Sequence, residues 1–283
     1  MKQPRKKNLS REAMQPISPK WAAQASRRLH AYLDALAASP KLVGDDGRLY
    51  DVYPVGLTPE RAGLLVEVCR SARPRATLEV GMALGVSTLT ILEALLEGGP
   101  MASRHVVIDP FQQSQWRNAA RRSLRLLGVE ELVEFYEESS LAVLPRMVGE
   151  GRRFDLIFVD GNHRFDYAFV DFRFAHELLT AGGVVVLDDT WLDALHLTVR
   201  YAETNLGYTI CAAAGRTMGR PAILALRKPA EEPRRGCSHF ESCGCQDFVP
   251  FFDGPDAVVP VPSEEADLGR RADGMAGVEC AEA

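Results

Sequence analysis

Long apolar runs are missing from this sequence. A membrane span needs roughly 18 or more consecutive apolar residues, and no segment approaches that length. An excess of basic charge is missing too. The chain has 33 Lys and Arg against 38 Asp and Glu, a formal net charge of -5. That balance gives no general pull toward nucleic acid or anionic membrane. Cysteine is sparse, with six residues. Cys69 and Cys211 sit in apolar stretches, Cys237, Cys243 and Cys245 cluster with His239, and Cys280 is near the end. They do not form a secreted disulfide framework, so a reducing cytoplasm is the expected compartment. The basic start (Lys2, Arg5, Lys6, Lys7) has no apolar stretch behind it, which argues against a secretory signal. Internal repeats and low-complexity blocks are absent as well.

What is present is an ordinary folding composition. With 283 residues and 46% hydrophobic content, the chain can bury one sizeable core or two small ones. The polar, proline-containing start, residues 1–19, reads as a disordered basic tail. Residues 20–57 read as a helix, Trp21 to Ala38, followed by a loop over Asp45 to Pro59. Thr58 with Pro59 is a helix start. Residues 58–228 then alternate between short apolar runs and amphipathic segments. Strands are predicted over Ala76–Val80, His105–Ile108, Val133–Tyr136, Asp155–Val159 and Val184–Leu187. Helices are predicted over Ser87–Leu96, Gln115–Leu127, Leu141–Met147, Tyr167–Leu179 and Leu192–Thr204. Such alternation predicts an α/β fold: a doubly wound, mostly parallel sheet with helices on both faces. Tyr208–Ala212 and Ala222–Leu226 flank a turn-rich piece and predict a closing antiparallel hairpin. Residues 229–283 are polar, acidic and proline-rich, and read as a mostly flexible tail.

The segment Glu79-Val80-Gly81-Met82-Ala83-Leu84-Gly85-Val86-Ser87 follows the first strand of that alternation and opens a helix. Doubly wound sheets bind nucleotide-like ligands there. A dinucleotide fingerprint requires Gly-x-Gly-x-x-Gly/Ala, but Ala83 and Val86 occupy the second and third positions. Glu79 would repel a pyrophosphate, whereas the sulfonium of S-adenosylmethionine (SAM) tolerates a carboxylate. The competing reading is a plain tight turn at Gly81 and Gly85.

These residues carry a resemblance. Glu79-x-Gly81-x-x-x-Gly85-x-Ser87 resembles the first motif of class I SAM-dependent methyltransferases, and within them the catechol and macrocin O-methyltransferase-like branch. The resemblance runs from about Thr58 to about Lys228 and implies a seven-stranded sheet ending in an antiparallel strand. It implies that Glu79, Gly81, Gly85, Ser87, Asp109, Ser140 and Asp160 hold SAM. Asp109 ends a strand and can accept from ribose hydroxyls, or stand exposed before Pro110. Ser140 lies five residues before Pro145, the family's spacing for a serine near the adenine, and can equally cap a helix.

Asp160 follows the fourth strand of the alternation, and Asp188-Asp189 follows the fifth. In a parallel sheet these positions meet at one edge. Three converging carboxylates need a compensating charge, and hard oxygen ligands suit Mg²⁺. The resemblance implies that Asp160, Asp188 and Asp189 hold that ion, which would acidify an acceptor hydroxyl. His163 stands where the family places a basic residue, and its ordinary pKa of about 6.5 suits a general base beside Asp160. Lysine is the usual residue there in catechol-type members. The acidic pair can instead cap the next helix, and Asp160 can serve a metal-independent relative.

The expected activity is O-methylation of a small-molecule hydroxyl, on a sugar or natural-product intermediate, without nucleic-acid or membrane partners. A homo-oligomer is compatible with the sequence. The alternatives are a metal-independent methyltransferase, an NAD-dependent oxidoreductase and a non-catalytic SAM-binding protein. Tyr167 or Trp191 can line the acceptor pocket. Arg117, Arg121, Arg122 and Arg125 form a basic helix face, read as solvated. The Cys237-x-His239-x-x-x-Cys243-x-Cys245 stretch is too compressed for the paired spacing of a typical zinc site.

Overall fold

The local signals place the helices. Ser18 caps α1 (Pro19–Ala38), accepting from Trp21 N at 3.2 Å, and Pro19 opens the helix. Thr58 caps α2 (Pro59–Ala72) in the same way. Side-chain caps of this kind satisfy backbone donors that a helix start leaves free. A computed structural model describes residues 17–98, 104–231, 233 and 241. Cys237, His239, Cys243, Cys245, Cys280, the segment Phe248 to Phe252 and nearly all of the basic tail lie outside the described residues. The tail ends earlier than expected, because Pro19 is already helical.

A small antiparallel pair follows α1, with β1 (Lys41–Val43) ahead of the expected loop and β2 (Leu49–Asp51) within it. The main sheet follows in the predicted alternation. Its strands are β3 (Thr77–Val80), β4 (His105–Ile108), β5 (Val133–Tyr136), β6 (Phe154–Val159), β7 (Leu179–Leu187), β8 (Thr209–Thr217) and β9 (Arg220–Arg227). Their order is β5-β4-β3-β6-β7-β9-β8. The first five are parallel, and β9 lies antiparallel to both β7 and β8. The seven-stranded sheet and its closing hairpin are therefore as the sequence implied. The helices between them are α3 (Val86–Glu97), α4 (Ala119–Leu127), α5 (Ser140–Gly149), α6 (Phe165–Leu178) and α7 (Asp193–Leu206).

Alternate residues of the central strands feed opposite faces. Leu78, Val80, Ile157, Val159, Val185 and Leu187 pack with α5, α6 and α7. Leu156, Phe158, Val184 and Val186 pack with α2 and α3 on the other face. A third cluster joins Leu29 of α1 to Leu89 and Leu92 of α3 and Leu124 of α4. Burial of this size on both faces, at about 25 cal/mol per Å² of apolar surface, holds the strand ends in place. The residues of the glycine loop and acidic segments sit at those ends.

Candidate functional site

A cavity of about 570 Å³ opens at the C-terminal edge of the parallel strands. That volume falls within the usual range for small-molecule sites. The strand order explains its place. β4-β3 and β3-β6 are neighbours, and their connections leave toward opposite faces, so a crevice forms between them.

Gly81 forms the floor. Its φ is +92, and a Cβ there would lie 1.9 Å from the carbonyl oxygen of Asp160. No other residue fits that contact. Backbone bonds tie the two segments further: Asp160 N donates to Val80 O at 2.8 Å and Gly81 N to Ile108 O at 2.9 Å.

His163 stands on the rim, 40% exposed, between two carboxylates. Its Nε2 lies 3.3 Å from Asp160 Oδ1 and 3.4 Å from Asp189 Oδ2. The hydrogen bond to Asp160 holds His163 above its ordinary pKa. Burial opposes that rise, and the Asp189 charge adds to it. Burial pushes Asp160 up, against the pull of His163. The other oxygen of Asp189 is also engaged, by Trp191 Nε1 at 2.9 Å and Arg61 Nη1 at 3.0 Å.

Arg61, on α2, spans the acidic pair. Its Nη1 lies 3.2 and 3.0 Å from the two oxygens of Asp188 as well as touching Asp189. Burial works against the Arg61 charge, and the two carboxylates outweigh it. Asp188 is 3% exposed. Burial and the Asp160 charge push it up to about 7, while Arg61 pulls it down.

The charge of the cavity wall is one-sided. Asp109, Asp160, Asp171 and Asp189 line it, with no lysine or arginine among the described residues. Pro54, Val55, Phe111, Trp116 and Tyr167 supply apolar surface.

Comparison with known proteins places this edge. A family described as a methyltransferase domain matches residues 78–190, from the glycine loop to the acidic pair. Residues 78–190 thus resemble a methyltransferase domain. Similar proteins include the O-methyltransferase hkm8 of Aspergillus hancockii, 29% identical over 144 residues, which are 51% of this chain and 54% of that protein. The chain thus spans about half the length of the curated relative it matches. Among solved structures, cofactor-bound Rv0187 from MTB aligns with a TM-score of 0.54 and 22% identity, over 77% of this chain and all of that one (100%). The O-methyltransferase TomG from Streptomyces achromogenes, in complex with SAM, aligns with a TM-score of 0.51 and 23% identity, over 76% and 92%. At such identities the likeness shows the fold, which is that of the class I methyltransferases.

Within the matched segment, Gly81, Ser140, Asp109, Asp160, His163 and Asp189 line the cavity together, and Tyr167 joins them. Glu79, Gly85 and Ser87 do not line it. Glu79 is fully buried behind the loop. It accepts from the Ser87 hydroxyl, from Thr88 Oγ1 at 2.7 Å and from His105 Nε2 at 2.9 Å, and His105 Nδ1 lies 2.9 Å from Thr77 Oγ1. Glu79, expected among the residues that hold SAM, thus forms an internal brace across β3, β4 and α3. Glu79 lies within β3, whereas the chain has already left the sheet at Gly81. Gly85 (φ +79) lets α3 approach α4, where a Cβ would lie 2.7 Å from that of Ala120.

Asp109 is largely committed too. Its Oδ2 accepts from Met82 N, Ala83 N and Gln112 Nε2, and its Oδ1 accepts from Phe111 N. A carboxylate has about four acceptor positions, so Asp109 shapes the loop more than it offers itself to a ribose. Asp188 faces Arg61 rather than the cavity, and Trp191 orients Asp189 rather than lining the pocket. Sequence reading missed Arg61, whose position in the first turn of α2 carries no motif. It also missed Asp171, which sits in a segment read only as a helix, Tyr167–Leu179.

Proposed function

We propose that the protein is a SAM-dependent O-methyltransferase acting on a hydroxyl of a small molecule, with His163 as the general base. The carrying observation is the cavity wall, which among the described residues has four carboxylates and no lysine or arginine. A dinucleotide would bring a pyrophosphate into that field and be repelled, whereas a cationic ligand is favoured. This replaces the argument from Glu79 with one from Asp109, Asp160, Asp171 and Asp189.

SAM bound there supplies an electrophilic methyl group to an acceptor oxygen. The chain's own work is to place that oxygen and remove its proton. Ionised carboxylates only accept hydrogen bonds, so Asp160 and Asp189 fix the proton of neutral His163 on Nε2. Nδ1 then carries the lone pair that takes the hydroxyl proton. The imidazolium so formed is stabilised by the same two carboxylates, the role an orienting aspartate plays in other His-based sites. Trp191 and Arg61 hold Asp189 in turn. Pro54, Val55, Phe111 and Trp116 suit an acceptor with an apolar ring better than a free sugar.

The Mg²⁺ set expected from sequence, Asp160, Asp188 and Asp189, does not fit that ion. Asp188 is paired with the Arg61 guanidinium, which already supplies positive charge to the acidic pair. A second reading rests on a different cluster. Ligand atoms of Asp160, His163 and Asp189 lie within 4.8 Å of one another. One nitrogen and two oxygens suit a borderline ion such as Zn²⁺ better than Mg²⁺.

Calorimetric titration with S-adenosylhomocysteine, with NAD as control, tests the reading. Binding of the former alone is expected, and failure to bind it at millimolar concentration overturns the assignment. Transfer assays on acceptor hydroxyls after EDTA treatment separate the metal readings. Undiminished turnover is expected, while loss restored by Zn²⁺ favours the second reading.

A further inference from the structure

Arg61 meets the acidic pair with a single atom. Its Nη1 lies 3.2 and 3.0 Å from the two oxygens of Asp188 and 3.0 Å from Oδ1 of Asp189. Three carboxylate oxygens from two side chains thus converge on one charged nitrogen. An arginine that recognises a carboxylate usually spreads its fork over two oxygens. Convergence on one point is instead the arrangement that holds a bound cation.

The placement is built from several elements. Arg61 N donates to Thr58 Oγ1 at 3.4 Å, in the cap of α2. The neighbouring Glu60 accepts from Gly215 N of β8 at 3.2 Å. Gly215 has φ +64, and a Cβ there would lie 3.0 Å from that of Ala222. The acidic pair is tied to the same hairpin. Thr190 N donates to Ala222 O at 3.0 Å, and Thr190 Oγ1 donates to Pro221 O at 2.9 Å. Cation and anions are therefore held against one another by a shared frame. The side chains of Arg61 and Asp189 are 19% exposed, and that of Asp188 is 3% exposed.

This occupancy bears on Mg²⁺. That ion binds through one or two carboxylates and several waters, with oxygens at about 2.0–2.1 Å. Asp188 and Asp189 are the donors it would need, and Nη1 stands at their focus. An ion drawn to the same oxygens would lie beside a guanidinium that does not lose its charge, and the two would repel.

We propose that Arg61 is a built-in cation in the place of a divalent ion. It excludes Mg²⁺ from Asp188 and Asp189, and its loss turns the pair into a Mg²⁺ site. The catalytic consequence rests on the methyltransferase reading above: no ion at that pair binds the acceptor hydroxyl, and its deprotonation falls to His163. The exclusion itself is read without cofactor or acceptor.

The test titrates the full chain with Mg²⁺, followed by differential scanning fluorimetry and calorimetry, with KCl at matched ionic strength as control. Wild-type protein is expected to show no binding heat and a Tm change of less than about 1 °C. Arg61→Met is expected to bind the ion and gain about 3–6 °C at roughly tenfold its Kd. Adding Asp188→Asn to that variant should abolish the gain. A wild-type response equal to that of Arg61→Met overturns the proposal, since the guanidinium would then exclude nothing. A folded Arg61→Met that ignores Mg²⁺, or responds equally to KCl, overturns it too. So does a gain that survives Asp188→Asn, which would place the ion on other ligands. If Arg61→Met unfolds in magnesium-free buffer, it is refolded with and without Mg²⁺: recovery with the ion alone supports the proposal, and recovery in neither overturns it. Failure of wild-type protein to bind S-adenosylhomocysteine would remove the catalytic consequence and leave the exclusion standing.

Discussion

Replacing Glu79 with alanine separates a cofactor contact from a structural brace. In the folded protein its two oxygens take three donors, Ser87, Thr88 and His105, and both members of the Glu79–His105 pair are fully buried. Alanine leaves all three donors without an acceptor inside the core. Removing one partner of a buried pair costs about 3–5 kcal/mol. In a domain of this size each kcal/mol lowers Tm by about 2–4 °C, so the expected fall is on the order of 6–20 °C. Glu79→Gln retains the shape and one acceptor oxygen, and should lose less. Differential scanning fluorimetry reads the loss, and titration with S-adenosylhomocysteine at a temperature where both variants are folded reads the site. Affinity should change by less than about threefold, because Glu79 does not line the cavity. An unchanged Tm with lost affinity would refute the assignment of Glu79 to the core.

Gly81→Ala should abolish cofactor binding and cost more than the roughly 1–3 kcal/mol of an ordinary strained residue, since its Cβ would lie 1.9 Å from a backbone oxygen; chemical denaturation measures it. His163→Ala should slow methyl transfer about 10²- to 10⁴-fold. In wild-type protein the rate should rise with pH through a pKa above 6.5, because only neutral His163 accepts a proton and its pKa is raised; His163→Ala should lose that rise. Arg61→Met leaves Asp188 and Asp189 without their cation, at a cost of about 3–5 kcal/mol near pH 8. Asp188 already binds its proton more tightly folded than unfolded, with a pKa of about 7. Its contribution to stability therefore falls as pH rises from about 4 to 7. The penalty of the variant should shrink toward pH 5, and a pH-independent penalty in urea titrations would contradict the pairing.

Much of this fold was legible because its signals are local. The unbroken apolar run Val184 to Leu187 announces a strand buried on both faces, and it pairs with β6 on one side and β9 on the other. Thr58-Pro59 announces a helix start. The acidic segments could be placed at one edge because parallel topology aligns strand ends. What could not be read was the direction of each side chain at that edge. Glu79 and Gly81 share a motif but serve different compartments, and Asp188 and Asp189 are neighbours with different tasks. Asp189 has φ +49 and Asp188 does not lie in that region, so the backbone turns between them and sends the two carboxylates apart. Arg61 reaches them across 127 residues of sequence, a distance no local pattern spans. The predicted helix Gln115–Leu127 began too early for a related reason. Arg117 and Asn118 both adopt positive φ, which ends the preceding turn before α4 starts.

The apposition of Gly81 with the Asp160 carbonyl has a bearing on how such a protein can be altered. It is a contact between two main chains, so no side-chain substitution elsewhere can widen or narrow it. On the proposed assignment, the spacing between the floor of the cavity and the segment that carries Asp160 is thereby set as in a jig, independent of what the acceptor looks like. Pro54 and Val55 belong to a separate stretch of chain, between β2 and α2, and do not share in that constraint. Acceptor preference can drift or be redesigned there while the distance that governs the chemistry stays fixed.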